Sequence, residues 1–502
     1  MTARPFALRR VAVGLAALLS SAATLEAQLI SPKTVPIHQG EQFGIYPAQW
    51  PGMGGVSIAL VDTIGDPWSN PAKATRLTVG SIQVMPFTHR ATAGGGRTLP
   101  VSILQTGGGF AGGALFSLQE VERRDVWWNL PIADRRASNQ YLSGVLGRRF
   151  GGGLSVGAAV SVADLRGVDG VGALYVGSDR VRQSGGWFDA RLGLTREFTG
   201  GSTLEVVALS NRYRMDHDVH FPATWRWTPC AACPVGQPCE CRQQVQVPDR
   251  DEKNLDRTNT AGLHAVFLTP RTEGGWRMGY LVTANRLSHP KIPNYVLQNI
   301  PRDPGNTDAF NLGFGTSRQV GPSTFGLDVV MEPMWSRTWA DAAGDTTDAM
   351  GSVIPQGAHT VDNHFRFANS RINVGYGHEF PGNADSTTMV GLQFGVSMRS
   401  INYTLDQTNH VQRTSRTQDE GWTEWTPTFA ARVRTNDIVF SYSVSMTCGP
   451  SCNFPGGTNV ARNFNNPDVA SGPPVVAAPE SPLTFDGGSS SHHRVMVSIR
   501  LR

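Results

Sequence analysis

In the segment Leu154-Ser155-Val156-Gly157-Ala158-Ala159-Val160-Ser161-Val162, every even position is Leu, Val or Ala and every odd one is Gly, Ala or Ser. A strand sends successive side chains to opposite faces, so this segment has one greasy face and one small, polar face. The pattern recurs in Phe188, Ala190, Leu192 and Leu194 against Asp189, Arg191, Gly193 and Thr195. It recurs again in Ile438, Phe440, Tyr442, Val444 and Met446 against Val439, Ser441, Ser443 and Ser445. Alternating segments of about ten residues with turns between them are the signature of a transmembrane antiparallel β-barrel. A soluble β-sandwich would also alternate, but many long two-faced strands with such small residues on one face suit it poorly.

Met1 to about Ala27 has the form of a secretory signal peptide. Arg4, Arg9 and Arg10 precede a charge-free apolar stretch, Val11 to Ala23, and small residues follow it. Cleavage is expected after Ala27, or as early as Ala23. Losing three arginines and Glu26 takes the formal charge from +4 to +2, a balance that argues against a nucleic-acid partner. Beyond that point no apolar run reaches the roughly 18 residues of a membrane helix. The 56 glycines and scarce helical patterns exclude an ordinary helical or α/β enzyme.

Short Gly-, Pro-, Asn- and Asp-rich turns are expected at 105–110, 148–153, 197–202, 269–275, 319–322, 380–386 and 435–436. Long polar segments lie at about 165–185, 217–256, 289–307, 336–362, 405–421 and 448–491. Bacterial outer-membrane barrels place short turns in the periplasm and long loops outside, and the connections here are expected to alternate in that way throughout. Seven hairpins, a lone first strand near 77–87 and a lone last strand near 493–501 give about sixteen strands. The count becomes fourteen if Leu99–Leu104, where Pro100 suits a strand start, belongs to a loop. Arg191, Arg277, Arg399 and Arg432 fall on the polar face. They should line the lumen, because a charge facing lipid at mid-depth costs about 2–4 kcal/mol. Trp127, Trp128, Trp225, Trp227, Trp335, Trp339, Trp422 and Trp425 cluster near expected strand ends, where an aromatic girdle would lie.

Residues 28–76 do not alternate. They contain Gly52, Gly54, Gly55, Ala59 and Asp62 and then Asn70-Pro71-Ala72, with Leu77-Thr78-Val79-Gly80 entering the first strand. In this the chain resembles the long-chain fatty-acid transporter (FadL-type, OmpP1-like) superfamily of outer-membrane barrels, which open with a G-x-G-G-A-x-x-A-x-x-D stretch followed by Asn-Pro-Ala. The resemblance implies an N-terminal hatch over 28–76 that plugs the barrel 77–502 from the periplasmic side, formed around Gly52, Gly54, Gly55, Asp62, Asn70, Pro71 and Ala72. The family barrel has fourteen strands. The resemblance further implies an outer-membrane conduit for hydrophobic small molecules, fatty-acid-like or aromatic, acting as a monomer in contact with outer-membrane lipid. A branch with a similar N-terminal motif shuttles secreted proteins in the type IX system. The alternative is therefore a non-transporting barrel that docks proteins through loops 217–256 and 448–491. Arg502 stands where barrel proteins commonly carry a terminal aromatic.

Six cysteines fall in two clusters, Cys230, Cys233, Cys239 and Cys241, then Cys448 and Cys452. An exported chain meets oxidising conditions, so disulfides are the first reading, with a tetrahedral zinc site open to the first cluster. No resident cofactor or metal is expected, and no enzyme. There is no G-x-S-x-G elbow, HExxH or Walker loop. The acidic-imidazole run Asp216-His217-Asp218-Val219-His220 resembles the rim of omptin proteases, and no second acidic pair can be set opposite it from sequence.

Overall fold

The computed structural model describes residues 44–501 apart from 92–93, 124–135, 168–179, 230–241, 272–273, 290–303, 343, 381–387, 449–458, 463–483 and 488. The expected signal peptide lies outside the described residues. Sixteen antiparallel strands form one sheet that closes on itself. β1 comprises Gly80–Val84 and Phe87–Ala91, followed by β2 (Gly94–Gly107), β3 (Phe110–Arg123), β4 (Arg136–Arg149), β5 (Leu154–Gly167) and β6 (Arg180–Glu197). β7 (Thr203–Phe221), β8 (Arg250–Leu268), β9 (Trp276–His289), β10 (Gly305–Val320) and β11 (Ser323–Asp341) continue the wall. β12 (His359–Phe380), β13 (Met389–Asn409), β14 (Thr414–Thr435), β15 (Ile438–Cys448) and β16 (Ser489–Leu501) complete it. Each strand pairs with its neighbour in sequence, and β16 returns to β1, so no edge is left open. The count is sixteen, where the family resemblance implied fourteen.

The two pieces of β1 keep one register on both sides, Val84 and Phe87 facing Val101 and Thr98 in β2 and Val497 and Arg494 in β16. The gap between them is Met85-Pro86, where Pro86 withholds an N–H. The ladder is bridged by the Met85 N–H to the Pro100 carbonyl at 3.0 Å and the Val495 N–H to the Pro86 carbonyl at 2.9 Å. Pro100 therefore sits inside β2 and does not start it. It is tolerated there because its partner strand is already interrupted by Pro86.

The two faces sort as the alternation predicts. Leu142, Leu146, Val156, Val160, Leu192, Val282, Met331 and Phe394 are exposed, while their neighbours Ser143, Ser155, Ser161, Asp189, Arg191, Thr283 and Gln393 are buried. A sandwich would bury the greasy face, whereas here it points outward as a band, which is the lipid contact of a transmembrane barrel. Leu192 is 65% exposed near the middle of that band. Leu192→Arg should cost about 2–4 kcal/mol of unfolding free energy in bilayers, and a denaturant titration showing no loss would place that residue away from lipid.

One end of the barrel carries the tight turns. Gly108 and Gly109, with φ of 59° and 80°, supply the two left-handed residues that a two-residue hairpin needs. The other end departs from expectation. β1 and β2 are joined by residues 92–93 alone, and the expected loop 405–421 is a turn at 410–413 between strands that run on to Asn409 and from Thr414. Strands likewise extend into 217–256 and 336–362. Beyond the bilayer a strand's outer face turns polar, so it reads as loop although the ladder continues. Across β13 and β14 the Thr404 hydroxyl donates to Asp419 at 2.6 Å and the Thr417 hydroxyl to Asp406 at 2.8 Å. Inside, Tyr403, Leu405 and Trp422 are buried in one cluster. Trp422 thus faces the lumen and Trp225 lies in a small ribbon (Thr224–Pro229 with Arg242–Val247), so neither belongs to a girdle. Trp335 and Trp425 do point outward and are exposed. Trp127 and Trp128 lie outside the described residues.

Candidate functional site

Residues 44–79 precede the wall and touch its inward-facing side chains on opposite sides, so they lie across the lumen at the turn end. Three stations hold them. At the first, a short helix α1 (Asp66–Ser69) leads into a 3-10 turn, Pro71–Arg76, capped by Asn70, whose Oδ1 accepts from the Ala72 N–H at 3.1 Å. The Asn70-Pro71-Ala72 corner rests on β4, β5 and β6 where their inward residues are Gly147, Gly157 and Gly193. A Cβ on Gly157 would lie 2.4 Å from the Pro71 carbonyl carbon, and one on Gly193 would lie 2.1 Å from Asn70 Oδ1. Arg191, bound to Asp189 at 2.6 Å, donates to the Trp68 carbonyl at 2.9 Å, and Trp68 stacks on Tyr46 at 5.9 Å.

At the second station Gly54 and Gly55 turn with φ of 64° and 82°, conformations that favour glycine. The Gly52 N–H donates to Gln393 Oε1 at 3.0 Å, the Gly54 N–H to Thr428 Oγ1 at 2.8 Å, and Asn373 Nδ2 to the Gly55 carbonyl at 3.0 Å. Backbone meets backbone here, since a Cβ on Gly395 would lie 2.2 Å from Gly54 N. At the third, Asp328 Oδ2 accepts from the Ser57 and Ile58 N–H groups at 2.7 and 3.1 Å, and the Ser317 hydroxyl donates to the Ala59 carbonyl at 2.8 Å. The Ile58 side chain fills the space left by Gly279, Gly313 and Gly315.

A charged cluster ties the first station to the wall. Glu205 on β7 meets Lys73 and Arg76 at 2.9 Å each, and Lys73 also meets Asp66 at 3.2 Å. Asp62 organises the bend before it, accepting from the Gln49, Ile64 and Gly65 N–H groups at 2.7, 3.0 and 2.7 Å. Burial, with Asp66 nearby, pushes the Asp62 carboxyl up to about 6 although those N–H groups pull it down. A carboxyl raised in this way favours the seated segment fully below its ordinary value near 3.8, and that contribution is lost as pH rises through about 6. The segment should therefore loosen between about pH 4.5 and pH 7, seen as more frequent open excursions in planar bilayers. Asp62→Asn should shrink that pH difference, and an undiminished profile would show that this carboxyl does not titrate with seating.

Toward the loop end two buried apolar patches face inward from opposite walls. One holds Tyr141, Leu165, Trp187, Tyr213 and Met215 with Ile45 of the segment. The other holds Ala309, Met334, Phe365, Phe367, Ile401, Tyr403, Leu405 and Trp422. Phe367 lies 5.8 Å from Phe365 and 5.3 Å from Tyr403, ring centre to ring centre. Between these patches and the segment is a cavity of about 410 Å³ lined by Tyr46, Trp50, Ile58, Thr428 and Arg371 among others. On the turn side of the segment lies a second, of about 1180 Å³.

The candidate residues from the sequence fall together in the segment. Gly52, Gly54 and Gly55 form the second station, Asp62 the bend, and Asn70, Pro71 and Ala72 the first station. Arg191, Arg277, Arg399 and Arg432 are inward-facing, Arg399 paired with Glu332 at 3.0 Å and Arg432 with Glu379. Cys448 is disulfide-bonded; Cys230, Cys233, Cys239, Cys241 and Cys452 lie outside the described residues. Asp216 is bound by Arg257 at 2.7 Å and Lys253 at 3.0 Å, and His220 by Asp251 at 2.9 Å. These residues face outward, even-numbered ones of β7 beside odd-numbered ones of β8, so they act as cross-strand ion pairs. The receiving residues, Gly157, Gly193, Glu205, Asp328, Gln393 and Gly395, carry no motif. Their only signal in the sequence is a small or polar residue on the inward face.

No protein-family model and no curated protein matches the chain. Among solved structures, a FadL homologue of Pseudomonas aeruginosa is similar at 9% identity over 91% of this chain and 98% of that one, with a TM-score of 0.41. The CymD monoaromatic hydrocarbon channel is similar at 11% identity over 92% and 99%, TM-score 0.39. CdiB from Acinetobacter baumannii is similar at 9% identity over 84% and 60%, TM-score 0.39. Likeness this distant assigns no family. The chain is a sixteen-stranded transmembrane barrel on the strength of its own strand registers and its outward apolar band.

Proposed function

We propose that this protein is an outer-membrane conduit for hydrophobic small molecules, of the FadL type that residues 52–72 resemble, with residues 44–79 acting as the hatch that closes its turn end. The observation that carries this reading is the pair of inward-facing aromatic patches above the segment. A water-filled pore keeps its interior polar, whereas the inward-facing Trp187, Tyr213, Phe367, Tyr403 and Trp422 make this interior apolar, buried against their neighbours, and a solute entering between them would gain about 25 cal/mol per Å² of apolar surface buried. The hatch reading is supported by the stations, which hold the segment by hydrogen bonds, close backbone approach and one ion cluster. A solute displacing Pro71–Arg76 or Gly52–Gly55 would open a path to the turn end.

The test is uptake of a hydrophobic tracer by a Gram-negative host lacking its own hydrophobe channels. Native protein should raise the uptake rate, and Phe367→Asp, which puts a charge into the upper patch, should return it to background while the barrel still assembles. Equal uptake with and without the protein would defeat the conduit reading.

A further inference from the structure

Toward the loop end, where the apolar band stops, the outward face of β6–β8 turns basic. The registers set Arg214 on β7 directly opposite Arg257 on β8, and Arg212 between Phe188 and Asn259. Four residues nearer the turns, at Ala208, the same face carries Leu192 and Leu263 on either side, 65% and 53% exposed. Arg212 and Arg214 therefore stand at the upper edge of the band, where a charge on the lipid face costs little. The acids beyond them are engaged: Asp216 holds Arg257 at 2.7 Å and Lys253 at 3.0 Å, and Asp218 lies 4.0 Å from Lys253. Arg212 and Arg214 are exposed, and among the described residues neither has an ion-pair or side-chain hydrogen-bond partner. Like charges facing each other across a sheet destabilise it. Arg214 opposite Arg257 is such a pair, and an anion between them would remove the repulsion.

We propose that Arg212, Arg214 and Arg257 form a docking site on the outer wall for the phosphorylated head of a membrane lipid in the leaflet at the loop end. Guanidinium forks take phosphate oxygens bidentately, and three of them on two adjacent strands suit a head with more than one phosphate. The acyl chains of such a lipid would lie along Leu192 and Leu263 directly below, so head and chains are met by one stretch of wall. A free phosphate would gain the head contacts alone. These side chains face away from the lumen, and the site concerns how the barrel is seated in its membrane, not what passes through it. At the turn end the outward Arg148 and Arg318 differ. Arg148 lies over the Phe110 and Phe150 rings at 4.9 and 5.2 Å, and Arg318 over Trp276 at 5.7 Å. The proposal rests on the outer-membrane reading only for the leaflet that the lipid occupies.

The closing experiment titrates diphosphorylated lipid A and a neutral glucosyl diacylglycerol into the full-length protein in detergent and counts bound lipid by native mass spectrometry. Native protein should bind lipid A at least tenfold more tightly than the neutral glycolipid. Arg212→Gln/Arg214→Gln should lose that preference, while Arg148→Gln/Arg318→Gln at the turn end should keep it, with native circular dichroism in both. Equal binding of the two lipids, or a preference that survives in Arg212→Gln/Arg214→Gln, overturns the proposal. A preference lost equally in the turn-end variant overturns it too. Excess inorganic phosphate should weaken lipid A binding without abolishing it, and complete displacement would remove the lipid as the occupant. A lipid A preference in a protein that fails the tracer-uptake test would keep this site and remove the conduit.

Discussion

Gly157→Val is expected to unseat the N-terminal segment and open the barrel. The added Cβ would lie within 2.4–2.6 Å of the Pro71 carbonyl group and Ala72 N, and these are backbone atoms that cannot rotate away. The adjoining Gly147 and Gly193 leave the corner no room to shift sideways, since their own Cβ positions would fall 2.8 Å from the Pro71 carbonyl oxygen and 2.1 Å from Asn70 Oδ1. The wall itself is held by the full β4–β5–β6 ladders, so the movable partner is the segment. In planar bilayers the variant should show conductance at least an order of magnitude above native, with barrel content by circular dichroism unchanged. Gly144→Val is the control, because Gly144 has open space where its Cβ would stand. Native-like conductance in Gly157→Val would mean that the Pro71 corner does not close the lumen.

Glu205→Ala should release the same segment through charge rather than shape. Glu205 is the shared partner of Lys73 and Arg76, and the side chains of all three are at most 18% exposed. Removing one partner from a buried ion network costs about 3–5 kcal/mol, because the remaining charges stay desolvated. Asp66 still offsets part of this for Lys73, while Arg76 is left only the more distant Glu197 at 3.8 Å. Three kcal/mol or more corresponds to roughly a hundredfold in the seating equilibrium. Tryptic cleavage after Lys73 and Arg76 in the detergent-purified protein should accelerate by about that factor. Cleavage at the native rate would show that the cluster is peripheral to seating.

Much of this was legible along the chain because a membrane barrel writes its faces into a period of two. Leu154 to Val162 announces both the lipid side and the lumen side, and the tight turns from Gly108-Gly109 onward set the order of pairing. The extra-membrane strands were not legible. Residues 403–422 are polar on their outer face and apolar on the inner one only at Tyr403, Leu405 and Trp422, so the alternation that marks a lipid-facing strand is missing. Pro100 was misread for a related reason. Whether a proline interrupts a ladder depends on what stands opposite, and Pro86 lies far enough away in sequence to give no local sign.

The sequence by itself determined the wall, its two faces and the glycine-rich prelude, because alternation and turn chemistry are local properties of the chain. Only the tertiary structure decided where that prelude sits. Gly157 and Gly193 are mute as small residues on an inward face until closure brings them under Asn70-Pro71-Ala72. Glu205 is one more acid in a strand until Lys73 and Arg76 arrive beside it. Contacts between residues more than a hundred positions apart are set by the curvature and register of the closed sheet, which no single strand contains.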